Sequence, residues 1–179
     1  MEQSAASTVS KNPDEEAAAL RAVEQHHAAM FKRLSALVAT LNHAVQSGDT
    51  AAEHDSHEVL VEWCENDLVP HALAEEGPVY SGPRALPQGK LLVEGMLAEH
   101  QVIAGLIEEL RGSTGVAAAV AAGSIRNIFA LHLDKENRLL LPLIVASPGL
   151  SLARAVEGLD ELVGETHLHR DGTVHGDSV

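Results

Sequence analysis

Residues 125–146, IRNIFALHLDKENRLLLPLIVA, decide how the rest of this chain is read. Ile128, His132, Glu136, Leu139 and Leu143 recur every three or four residues, the period of one helical face. A histidine and a carboxylate therefore stand on a line that should be purely apolar. His132 and Glu136 are one turn apart on the same face, so their side chains can reach a common centre. The predicted helix runs from about Val116 to Ala146 and is broken by Ser147-Pro148-Gly149.

The pattern recurs upstream. Val93, Met96, His100, Ile103 and Ile107 stripe a helix expected over about Lys90 to Arg111, ended by Gly112 to Gly115. Leu60, Cys64, Leu68, His71 and Glu75 stripe another over about Ala51 to Glu76, which Pro70 should kink. Ser81 to Gly89 reads as the linker between them. The first helix, from about Asp14 to Gln46, carries Leu20, Val23, His27, Met30, Leu34, Leu37 and Leu41, and Ser47 to Asp49 end it. A short fifth helix is expected from Ser151 to about Val163. Residues 1–13 read as a disordered tail, 14–163 as one helical domain, and 164–179 as a loose polar tail. No segment alternates like a strand. The expected fold is all-α, an up-down-up-down four-helix bundle with a short extra C-terminal helix.

Composition narrows the function. With 179 residues the chain can bury one core without staples, and with 2% aromatic residues that core must be aliphatic. Its single cysteine, Cys64, rules out an internal disulfide and suits a reducing cytoplasm. A net charge of −14, from 12 basic against 26 acidic residues, argues against nucleic-acid binding. The polar, acidic N-terminus is unlike a signal peptide. The longest uninterrupted apolar run, Leu139 to Ala146, is far shorter than the ~20 residues of a bilayer span. A cytoplasmic protein without membrane contact is expected.

Four imidazoles and two carboxylates converging on one core are costly to bury unless something compensates them. A metal does so by turning stranded polar atoms into ligands. The chain's two halves look alike: a helix with one histidine, then a helix with His-x-x-x-Glu. Two such hairpins face to face would give His27, His71, Glu75, His100, His132 and Glu136 to two cations. Both glutamates and one oxo or hydroxo oxygen would bridge the pair, leaving room for a small exogenous ligand. Imidazole and carboxylate without thiolate suit iron, manganese or zinc, and an open bridged pair favours iron over manganese. A ferritin-like site would need two Glu-x-x-His pairs, and Glu24-x-x-His27 is the only convincing one. The metal-free alternative is a hydrogen-bonded polar network in a helical interaction module.

With 11 histidines, placement carries the weight. His26 competes with His27 on the first helix, and the stripe favours His27. Tyr80 and Glu76 are candidates for a vacant coordination position or for outer contacts. Glu99, beside His100, should point to solvent. His57 is on the inward line but remote from His71. His54 and His43 read as surface residues, and His167, His169 and His175 lie in the tail. Cys64 should be a buried packing thiol and Trp63 a rim residue.

In order, the motifs Glu24-Gln25-His26-His27, His71-x-x-x-Glu75-Glu76 with Tyr80 following, Glu99-His100 and His132-x-x-x-Glu136 with Leu139-Leu140-Leu141-Pro142 following resemble the hemerythrin-like (HHE cation-binding) family over about residues 15–146. The resemblance implies a four-helix bundle and a non-haem di-iron centre that meets hydrogen peroxide, O2 or NO. Oxygen-carrying hemerythrins have a further histidine on the third helix, where this chain has Met96 one turn before His100. They also have a differently spaced aspartate after the last histidine, where it has Glu136. Fewer nitrogens and more vacant positions favour peroxide or NO chemistry over oxygen transport.

Overall fold

The computed structural model describes residues 11–163. Among them the chain is all helix and coil, with no strand. Helix α1 (Pro13–Ser47) begins one residue before the expected Asp14. Asn12 caps it by accepting from the Asp14 N–H, and Asp14, Glu15 and Glu16 fill its first turn. It ends at Gly48, whose φ of 70° is the left-handed cap conformation and whose N–H bonds the Ala44 and Val45 carbonyls.

The second rod is longer than expected. It comprises α2 (Thr50–Trp63), a π-turn at Cys64–Leu68, α3 (Val69–Ala74), a second π-turn at Glu75–Val79 and α4 (Tyr80–Arg84). Helix α5 (Pro87–Gly112) follows at once, so the stretch from Ser81 to Gly89, expected as a linker, is mostly helical. Its prolines explain the difference. Pro87 takes the first position of α5, where a missing N–H leaves no helical bond unmade, and Pro83 sits inside α4 just before the rod ends at Arg84. The last rod is α6 (Gly115–Lys135), a third π-turn at Glu136–Leu140 and α7 (Leu141–Ala146).

Each π-turn has a proline in it or just beyond it: Pro70 after the first, Pro78 inside the second, Pro142 after the third. A proline inside a helix offers no N–H and its ring crowds the carbonyl four residues back. The wider π-turn relieves that crowding, so the rod stays helical through Pro70. It also slides the inward stripe by one residue. Past Glu136 the buried positions are Leu140, Leu141 and Ile144, whereas the expected Leu139 is 53% exposed and Leu143 only half-buried. Before it, Ile125 and Phe129 face inward in place of Ile128.

Instead of one fifth helix there are two short ones, α8 (Leu152–Ala155) and α9 (Asp160–Val163). Gly158, at a φ of 75°, separates them. This C-terminal strap lies over α1 and α3. Glu16, buried in α1, anchors it by accepting from the Ser151 hydroxyl and, at 2.8 Å, the Leu152 N–H. The expected tails fall almost wholly outside the described residues, as do His167, His169 and His175.

The packed rods enclose two apolar clusters. One gathers Leu34, Leu41, Leu60, Leu110, Ile125 and Phe129; Trp63 and Cys64 are buried within it, so Trp63 is core, not rim. The other gathers Val23, Val93, Met96, Leu140, Ile144 and Leu152. Along every rod the buried histidines fall between them: His27 between Val23 and Met30, His71 between Leu68 and Val79, His100 between Met96 and Ile103, His132 between Phe129 and Leu140. A polar layer thus crosses an aliphatic core. The run Gly115–Ala146 is long and apolar enough to cross a membrane by length and composition alone, with a mean hydropathy of 1.5. Its inner face carries His132 and Glu136 into the polar layer, the arrangement of a core helix.

Candidate metal centre

The π-turns begin at the two inward carboxylates. Glu75 opens the second and Glu136 the third, so each His-x-x-x-Glu pair ends where the helix widens. Single π-turns inside α-helices frequently mark functional sites, because they re-aim one side chain without breaking the rod. His27, His71, Glu75, His132 and Glu136 are at most 2% exposed and His100 is 8% exposed.

All four histidines present the same nitrogen to the centre. The Nδ1–H of His27 donates to Asn137 Oδ1 at 2.7 Å, that of His71 to the Glu161 carbonyl at 3.0 Å, that of His100 to Glu76 Oε1 at 2.9 Å, and that of His132 to Glu99 Oε2 at 3.1 Å. Every partner is an acceptor, so each ring keeps a proton on Nδ1 and turns Nε2 inward, where it can serve a cation once any second proton has left. Glu75 spans the interior. Its Oε1 is 3.0 Å from His71 Nε2 and 3.5 Å from His27 Nε2, while its Oε2 is 3.5 Å from His100 Nε2 and 3.7 Å from His132 Nε2. Glu136 Oε2 is 3.6 Å from His27 Nε2 and 3.7 Å from His132 Nε2.

Several inward atoms lack hydrogen-bond partners. His27 Nε2, His71 Nε2 and Glu136 Oε2 are buried without one, and the Nε2 atoms of His100 and His132 face each other at 3.2 Å. Orphaned lone pairs in a buried layer are costly, and a cation removes that cost. Two overlapping donor groups result: His27, His71, Glu75 and Glu136, and Glu75, His100 and His132, each with ligand atoms within 4.8 Å of one another. Glu75 belongs to both, as a bridging carboxylate must. Imidazole nitrogen and carboxylate oxygen without sulfur fit iron, manganese or zinc.

Residues 18–144 match the family described as Hemerythrin HHE cation binding domain. The chain belongs to this family. Comparison with curated proteins and with solved structures found no significant match. The hemerythrin-like domain and its converging His/Glu groups identify a cation-binding protein.

All six residues expected from the stripes come together. His27, not His26, supplies the first helix's inward nitrogen. His26 is half-buried against His71, ring centroids 5.4 Å apart. Tyr80 joins the interior: its hydroxyl donates to Glu136 Oε1 at 2.8 Å and lies 3.2 Å from His132 Nε2 and 3.3 Å from Glu75 Oε2. Glu76 is an outer partner of His100. Glu99 corrects an expectation, since it turns to His132 Nδ1 and pairs with Lys135 instead of facing solvent. Asn137 and Glu161 went unread altogether; Asn137 next to Glu136 had no distinguishing signal, and Glu161 acts through its backbone. His57 serves elsewhere, with Nε2 2.7 Å from the Leu110 carbonyl, and His54 and His43 are exposed.

The electrostatics are those of a site awaiting positive charge. Burial opposes ionisation of Glu75, but the charge of His71 and the nearby rings of His100, His132 and His27 hold its carboxyl well below the usual range. Burial and the charge of Glu75 push Glu136 up to about 7, so without a cation it is partly protonated near neutral pH. Burial disfavours a charged His71, yet Glu75, Glu136 and the Glu161 carbonyl outweigh it and raise its pKa to about 9. Burial and the neighbouring His71 and His27 lower His26 to about 4. Burial, Glu75 and Glu136 all raise Tyr80, which stays a phenol.

Proposed function

We propose that this hemerythrin-like protein is an up-down-up-down bundle that holds two iron ions and disproportionates hydrogen peroxide to water and O2. His27 and His71 would hold one ion, His100 and His132 the other, and Glu75 and Glu136 would supply carboxylate oxygens to the pair. The observation that carries this reading is the convergence of four Nε2 lone pairs and two carboxylates in one buried layer. Six protein donors for two cations leave coordination positions for a small molecule. An iron pair bound there would give two electrons to one peroxide, which leaves as water, and take two back from a second, which leaves as O2.

The chain's own residues bind, orient and move protons. The four Nδ1–H bonds fix the imidazoles. Tyr80 places an O–H at the edge of the layer, beside Glu136 and His132, where it can donate a hydrogen bond to an oxygen of a small molecule held there. The apolar clusters on either side keep bulk water from the layer.

A second reading, binding or sensing of O2 or NO without turnover, has its own support. A cavity of about 160 Å³ between α3 and α5, lined mainly by Leu68, Val69, Ala72, Leu73 and Ile103, reaches His100 and Glu76. Such a lining suits an uncharged diatomic. Adding hydrogen peroxide to the iron-loaded protein and following O2 evolution separates the readings. Repeated turnover supports the enzyme; a single spectral change without O2 release supports the binder.

A further inference from the structure

The outer partners of the four histidines are not alike. On one side of the layer they are neutral, the Asn137 amide oxygen for His27 and the Glu161 backbone carbonyl for His71. On the other they are carboxylates, Glu76 for His100 and Glu99 for His132. A carboxylate accepting from Nδ1–H pushes electron density through the ring and makes Nε2 a stronger donor than a neutral acceptor does. Tyr80 also stands on this side, its ring stacked on His100 and its hydroxyl 3.2 Å from His132 Nε2.

We infer that the two cation positions are unequal, and that Glu99 and Glu76 are positioning residues that make the His100–His132 position the one preferring the more highly charged ion. Lys135 tunes this preference. Its ammonium pairs with Glu99, withdrawing part of the negative charge that Glu99 offers His132. Glu99 and Lys135 are each about one-fifth exposed, so neither is a core residue whose replacement must collapse the fold. In iron, the His100–His132 position is the first to become ferric and the last to return to ferrous, by one electron given to or taken from an added mediator.

The inference rests on the di-iron reading, and the test separates the two. The iron-loaded full-length protein is titrated electrochemically with mediators, alongside Glu99→Gln and Lys135→Met. Mutual repulsion splits the two one-electron steps even in a symmetric pair, so the splitting alone decides nothing. The diagnostic is selectivity and sign. Glu99→Gln should cost the lower-potential step about tenfold in ferric preference, a rise of about 59 mV for one electron, and leave the other step nearly in place. Lys135→Met should move that same step the opposite way. A merely structural role for Glu99 would lower Tm in both variants without opposed shifts. The inference is overturned if both steps move together or neither moves, with two irons still bound. If the wild-type protein binds no iron pair, the di-iron reading fails and takes the inference with it.

Discussion

At the scale of the residue, proton placement governs the layer. His71 has a folded pKa near 9, above its ordinary 6.5, so the stability it contributes is complete below 6.5 and is lost as pH rises through 9. Glu136 is shifted in the same direction, so its contribution is lost earlier, as pH rises from 4.5 through about 7. Cation-free protein should therefore show a falling Tm between pH 6.5 and about 9, measured by thermal denaturation in chelator. Cation affinity should run the other way, because both groups must shed protons to become ligands. A Tm that stays flat or climbs across that window would count against these assignments. Tyr80→Phe leaves Glu136 Oε1 without its donor. It should destabilise the cation-free protein by about 1–3 kcal/mol, retain two cations, and slow peroxide turnover. All six inward residues were legible in the sequence because a buried polar group interrupts an apolar stripe visibly. Glu99, Asn137 and Glu161 were not, because hydrogen bonding to a neighbouring rod leaves no trace in a chain's own periodicity.

At the scale of the element, the π-turns separate what the sequence shows from what it hides. Helix positions and termini followed from stripes, caps and glycines, and α1 and α5 closely match expectation. The stripe beyond Glu136 did not, since Leu139 and Leu143 continue a 3.6-residue period that the π-turn has already displaced by one residue. Pro142, two residues beyond that turn, is the signal that was available. The extra residue keeps Glu136 aimed at the layer while Leu140 and Ile144 stay in the core. Deleting the exposed Leu139 should restore a regular helix with the same flanking register. The fold should survive by circular dichroism, while cation affinity, measured by equilibrium dialysis, falls by tenfold or more. Equal affinity in the deletion variant would remove any functional reason for the turn.

At the scale of the whole molecule, the polar layer depends on pieces far apart in the chain. The strap is pinned to α1 by Glu16 and delivers the Glu161 carbonyl to His71. Glu16→Ala removes the acceptor for the Leu152 N–H and the Ser151 hydroxyl. It should cost about 1–3 kcal/mol of stability and weaken cation binding about tenfold, although Glu16 is no ligand. An affinity unchanged in that variant would show that the strap does not orient His71. The expected single fifth helix hid this role, because a continuous helix from Ser151 gives no reason for its backbone to turn to the site. Two apolar clusters flanking a layer of four imidazoles and two carboxylates make sense only if cations occupy that layer. The measurement that bears on this most directly is metal analysis, with an absorption spectrum, of the full-length protein reconstituted with ferrous iron in air. About two irons per chain and the charge-transfer absorption of an oxo-bridged pair are predicted. A protein that stays folded at neutral pH and retains no transition metal would contradict it.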